Sequence, residues 1–194
     1  MFDNQKQAQE LNYKIIAGKV SISNVDDFLA VLKTITHKYD VTIQAMNAEL
    51  IAGDEHIISA VKKAIRAVDR KRNIASDLGL EILLYAAGRR QIERALAIGV
   101  SESNLGENAK RVAIVIVDAS ARGEKDLDMV AEEVKREVGM MEEPVQELEL
   151  EHNEDKKEKL KQFFEISEDE LKAVGESKLK QLVLERVAML DVLK

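Results

Sequence analysis

The sequence predicts an α+β fold: a small, mostly antiparallel sheet of about three to five strands, packed with many helices in a single domain. Three observations predict it. Short stretches of alternating or continuous β-branched residues are interleaved with longer stretches whose apolar residues recur every three or four positions. The 194 residues include only one Pro and nine Gly, so regular elements meet few interruptions. The 45% apolar fraction has few aromatics and no Trp, so the core is expected to be aliphatic. A chain of this length buries roughly 70% of the surface that its unfolded form exposes.

Residues 13–20 read as a short strand. Residues 25–38 follow as an amphipathic helix on Val25, Phe28, Leu29, Leu32 and Ile35. Asn24 is its expected N-cap, and Asp26 and Asp27 occupy the first turn, where the helix dipole favours acids. Residues 40–51 alternate as a strand through Val41, Ile43 and Ala45. Ala52-Gly53-Asp54 breaks it, and Asp54 is expected to cap the next helix, 55–70. The inward stripe of that helix is Ile57, Ile58, Val61, Ala64, Ile65 and Val68. Its opposite stripe is His56, Ser59, Lys63, Arg66 and Arg70. Residues 74–87 form a second helix, apolar nearly all round and therefore buried. Gly88-Arg89-Arg90 turns into a short helix, 91–98, which Gly99 ends.

Residues 111–117 are β-branched and read as a buried strand. Residues 124–138 form an amphipathic helix with Leu127, Val130, Val134 and Val138 inward, ended by Gly139. From 142 to 156 the chain is acidic and weakly periodic. It reads as a variable, partly mobile linker with a short strand over 145–150. Helices return at 157–164, at 168–174 with Ser167 as N-cap, and at 176–193. In the last, Leu179, Leu182, Val183, Val187 and Leu190 make the inward stripe. Leu184, Met189, Val192 and Leu193 leave little polar face, which marks either a doubly buried closing helix or a docking surface.

Composition excludes several function classes. Without Cys there are no disulfides, thiolate metal sites or Cys nucleophiles. No apolar run approaches the roughly 18 residues of a membrane span, and the first residues carry no apolar signal core, so the expected compartment is the cytoplasm. The net charge is −7, yet charge is sorted along the chain. Residues 56–94 carry nine Lys or Arg against four acids, a balance of +5 that leaves −12 elsewhere. Residues 142–159 carry eight acids against three lysines.

Two features of the basic segment point to an anion. Six of the eleven residues from 62 to 72 are basic: Lys62, Lys63, Arg66, Arg70, Lys71 and Arg72, continued by Asn73. For any single Lys a solvated helix face explains this, but the density favours anion binding. The second feature is Ala86-Ala87-Gly88-Arg89-Arg90-Gln91. Small residues permit a close approach, the helix start offers N–H groups, two Arg offer forked donors and Gln91 suits a base edge. An ordinary surface turn explains it equally well. Only Tyr85 is available for stacking, which argues against an extended surface of stacked bases.

Phosphate-loop, dinucleotide, zinc-protease and nucleophile-elbow motifs are missing. His37, His56 and His152 lack ligand spacing, and neither a metal nor a cofactor is expected. Asp118 reads as a turn residue at the end of a strand. Glu81, inside an apolar helix, needs a partner, expected to be a nearby Arg. A general base at Glu81 or Asp118 is the sharper alternative.

Four blocks carry a family resemblance: Ala52-Gly53-Asp54-Glu55-His56-Ile57-Ile58-Ser59-Ala60; Arg72-Asn73; Glu81-Ile82-Leu83-Leu84-Tyr85-Ala86-Ala87-Gly88-Arg89-Arg90-Gln91-Ile92; and Leu182-Val183-Leu184-Glu185-Arg186-Val187-Ala188-Met189-Leu190. In this order, over nearly the whole chain, they resemble the small subunit of the KEOPS complex, the family of the PRPK-binding protein, in its archaeal form. The third block is the specific one. The resemblance is poorest over 142–156. It implies a non-enzymatic subunit that binds tRNA, including its 3′ CCA end, and binds the kinase-like ATPase subunit of the complex. Through that subunit it would support the threonylcarbamoyl-transferring subunit in making threonylcarbamoyl adenosine. Matching the motifs and adding charge gives the expected tRNA-facing residues: His56, Lys62, Lys63, Arg66, Arg70, Arg72 and Asn73 on one segment, and Gly88, Arg89, Arg90 and Gln91 on the other. The expected kinase-facing residues are Leu182, Glu185, Arg186, Met189, Leu190 and Leu193. Two other readings stand beside this one: a protein-interaction module that regulates a kinase without touching RNA, and a small enzyme acting on a phosphorylated substrate.

Overall fold

A computed structural model describes residues 11–101, 109–120, 123–151 and 153–193, except the side chains of 176 and 193. His152 lies outside the described residues. The elements, in order, are β1 (Asn12–Val20), α1 (Val25–Tyr39), β2 (Thr42–Asn47), α2 (Asp54–Asp69), α3 (Leu78–Ala87), α4 (Ile92–Ala95), β3 (Lys110–Asp118), α5 (Leu127–Glu137), β4 (Met141–Glu143), α6 (Glu154–Phe164), α7 (Glu168–Val174) and α8 (Leu179–Leu193). The fold is α+β, as the sequence predicts.

The four strands lie in the order β2-β3-β1-β4, and every pair is antiparallel. Asn12 faces Asp118 across β1–β3, and Thr42 faces Val117 across β2–β3. β3 is central, and its side chains alternate between two cores. Val112, Ile114 and Ile116 pack with Phe28, Leu32 and Ile35 of α1 and with Val130 and Val134 of α5. Ala113, Val115 and Val117 face the larger core of α2, α3, α6 and α8. Covered faces on both sides explain the unbroken β-branched run. The second core is where the candidate site sits.

Local chemistry sets most element ends. The Asn24 side chain accepts from the Asp27 N–H and caps α1, as the sequence predicts. Asp54 does not cap α2. Gly53, at φ +88, occupies the cap position and makes no side-chain bond. The helix predicted over 74–87 starts only at Leu78, with Asp77 as its cap. The preceding loop is held by Glu81, whose Oε2 accepts the N–H groups of Ile74 and Ala75 at 2.9 Å each. Backbone donors thus meet this fully buried carboxylate. Asp118 plays the turn role, accepting from the N–H groups of Ser120 and Lys125.

The 142–156 segment also differs from its expected form. Its strand is β4, paired with β1, and Val145–Leu148 is a short 3-10 turn rather than a strand. Leu148, Leu150 and Lys156 are buried. The Lys156 ammonium donates to the Leu148 carbonyl at 2.6 Å, and burial pushes its pKa down to about 8. Apolar residues spaced among many acids have too little periodicity to be recognised without the surface that they cover.

Candidate nucleic-acid interface

α2, α3 and α8 pack against one another, and the basic end of α2 meets the other two at a cleft. α2 ends where Lys71 adopts a left-handed conformation, φ +55. The Lys71 N–H then donates to the Val68 carbonyl and the Arg72 N–H to the Ala67 carbonyl, a Schellman-type closure. This reversal brings Arg72 beside Arg66 and Arg70. With Tyr85 of α3 and Asp191 of α8 they line a cleft of about 180 Å³.

Asp191 organises one wall. Its Oδ1 accepts from the Tyr85 hydroxyl at 2.7 Å. Its Oδ2 accepts from the Lys63 ammonium at 3.1 Å and from the Arg66 guanidinium. Partial burial alone would raise the Asp191 pKa, but the Tyr85 bond and the Lys63 and Arg66 charges hold it below the usual carboxylate range. Burial and the same carboxylate push the Tyr85 phenol upward. Lys62, Arg70 and Arg72 are exposed, and among the described residues none of their side chains makes a hydrogen bond or ion pair. Asn73 is half-buried and donates to the Ala75 carbonyl.

A second cleft, of about 160 Å³, lies farther along α8. Arg186 lines it, five residues before Asp191 and so about 7–8 Å away along the helix axis. Gly88 closes α3 at φ +60. A Cβ there would stand 2.8 Å from the Arg186 carbonyl oxygen, so the small residue lets the backbone of α8 come close. Arg89 donates to the Phe163 carbonyl and to Glu165, and Arg186 grips both oxygens of Glu170. Arg90 and Gln91 are exposed. The helix start expected to hold a phosphate is a single turn. α4 has four residues, and Arg94 and Ala95 give their N–H groups to the Gln91 carbonyl. One turn has too little aligned dipole to matter.

His56 is not on the basic surface. It is fully buried and makes an edge contact with Phe164. The Ala52 N–H donates to Nδ1 at 3.1 Å, which leaves the Nε2–H to donate to the Ala86 carbonyl at 2.8 Å. Protonating Nδ1 would turn a donor against a donor in a dry site, and burial lowers the pKa to about 4. The unfolded chain, with an ordinary His, therefore takes up a proton that the folded chain refuses. Stability from His56 is complete above about pH 6.5 and declines as pH falls to about 4, by about 3 kcal/mol. Urea titrations of wild type and His56→Gln between these pH values check this: the variant should lose that part of the pH slope, and parallel slopes would show that His56 contributes nothing to it.

On α8, Leu182 and Leu190 are buried against α2 and α3 and are unavailable to a partner, which corrects their expected role. Glu185 is exposed, as are Met189 at 48% and Val192 at 76%. The Leu193 side chain lies outside those described.

Residues 2–191 match the family described as Kinase binding protein CGI-121. The chain belongs to this family. It is 26% identical over 151 residues to the Regulatory protein Cgi121 of Methanocaldococcus jannaschii, a match that covers 78% of this chain and 84% of that protein. In this CGI-121 member, Asp191 is the site residue that motif matching does not find. A local signal for it exists. A carboxylate in the last turn of a helix opposes the dipole, so an acid placed there among apolar neighbours calls for a cationic partner elsewhere.

Proposed function

We propose that this chain is a non-catalytic accessory subunit that binds tRNA through the cleft of Arg66, Arg70, Arg72 and Tyr85, with the 3′ CCA end as part of its target. One observation carries the reading. Arg70 and Arg72, on the basic edge of an acidic protein, are left without side-chain partners around a cleft, an arrangement that favours the phosphates of a nucleic acid. Lys62, one helical turn before Arg66, and the exposed Arg90 and Gln91 are proposed as further contacts. The family description and the name of the archaeal relative support a kinase-like ATPase as the protein partner. The outer face of α8, with Glu185, Met189 and Val192, is the surface proposed to meet it, because exposed apolar residues on a helix already packed on its other side suit docking. Through that partner the chain would support the subunit that transfers threonylcarbamoyl to adenosine in tRNA.

The test is a titration of the isolated chain with intact and CCA-trimmed tRNA. Binding should weaken roughly 10- to 100-fold from about 50 to about 200 mM salt. Trimmed tRNA should bind more weakly at every salt concentration. Equal binding of the two forms refutes the CCA assignment, and no binding refutes the RNA reading in favour of a protein-only regulator.

A further inference from the structure

We infer that the cleft contains a phosphate subsite and that the Asp191 carboxylate is its resident occupant, sitting where a ligand phosphate sits and yielding to it. This rests on the tRNA reading above and names how that site is gated.

Three donors from two other helices converge on one carboxylate: the Lys63 ammonium, the Arg66 guanidinium and the Tyr85 hydroxyl. The set suits a phosphate as well as it suits a carboxylate, since both present several acceptor oxygens to forked and charged donors. Arg70 and Arg72 line the same cleft without partners, so Asp191 leaves it strongly cationic. A phosphate that entered would meet five donor groups, of which Asp191 engages three.

The gate requires only a side-chain movement. Asp191 is half-buried, in the last turn of α8, and the residue after it, Val192, is largely exposed. A change of rotamer moves the carboxylate away while the buried Leu190 keeps the helix seated. Its location on α8 also ties cleft occupancy to that helix. A partner that binds the last turn better with Asp191 engaged weakens phosphate binding, and bound phosphate weakens that partner's binding by the same factor.

The test uses the full chain as wild type, Asp191→Asn, and Asp26→Asn as a control for net charge. Asp26 is exposed in the first turn of α1, against the other face of the sheet. Asparagine preserves shape and an acceptor for Tyr85 while removing the charge. Asp191→Asn should bind tRNA roughly 3- to 10-fold more tightly than wild type at fixed salt, with Asp26→Asn within about 2-fold of wild type. A second arm titrates inorganic phosphate and follows the Lys63 and Arg66 side-chain signals by NMR. It separates a site for any phosphate from one that needs the nucleic-acid backbone. If wild type binds tRNA and Asp191→Asn binds no more tightly, the gate is overturned. If wild type binds no tRNA, the RNA reading fails by itself. The phosphate arm then decides: tighter binding by Asp191→Asn upholds the subsite and equal binding removes it. Circular dichroism checks each fold, and Asp191→Ser replaces Asp191→Asn should the latter not fold.

Discussion

Replacing Arg70 and Arg72 together with glutamate should weaken tRNA binding about 100-fold near 0.1 M salt and reduce its salt dependence. Both guanidinium groups line the cleft, and neither is engaged by the protein. Their removal therefore falls on the ligand alone. Reversal of charge adds repulsion to the missing attraction, and both changes act on the counterions that tRNA releases when it binds. The same exposure predicts little structural cost. Surface substitutions away from buried networks usually change stability by no more than about 0.5 kcal/mol, so the melting temperature should move by only about 2 °C. Filter binding or fluorescence anisotropy, paired with a thermal melt, checks both halves. Unchanged affinity in a folded double variant would place the RNA elsewhere.

Gly88→Ala should destabilise the protein by about 2–5 kcal/mol, with two causes that add. The left-handed conformation at φ +60 costs a Cβ-bearing residue about 1–2 kcal/mol. The new methyl would also stand 2.8 Å from the Arg186 carbonyl oxygen and 3.1 Å from its carbon. These are backbone atoms in the middle of α8 and cannot swing aside as a side-chain tip could. Crowding of this kind typically costs about 1–3 kcal/mol. Urea denaturation measures the sum, and a decrease under about 1 kcal/mol would mean that α8 yields freely at this position. The variant should also weaken the Tyr85–Asp191 bond, because the same two helices supply both residues.

Sequence reasoning locates the basic segment well but does not reveal how much of it the protein itself uses. Lys63 and Arg66 share a face with Arg70, as their spacing requires, yet the first two are engaged by Asp191 and the third is not. His56 shares that face by spacing as well. It is buried because Phe164 and the end of α3 close over the start of α2, while the other end of α2 stays open to solvent. Helical periodicity says which residues lie on one side of a helix, not how far the neighbours extend along it. The Gly88-Arg89-Arg90-Gln91 turn shows the same limit. Its small residue does permit a close approach, but of α8, and Arg89 ties the turn to the end of α6 at Phe163 and to Glu165 beyond it.

What the sequence determined by itself was everything set within a few residues along the chain. The strand and helix periods of β3, α1 and α5, the Asn24 and Ser167 caps and the charge density of 62–72 all follow from local geometry and composition. The tertiary structure alone decided the strand order β2-β3-β1-β4, the use of Met141–Glu143 as an edge strand, and the burial of His56 and Lys156. It also decided that Asp191 meets Lys63 across 128 residues of chain. The physical reason is common to all of these. A side chain's exposure and charge partner depend on which distant surface packs against it, and that is settled by burying two apolar cores at once rather than by any local preference.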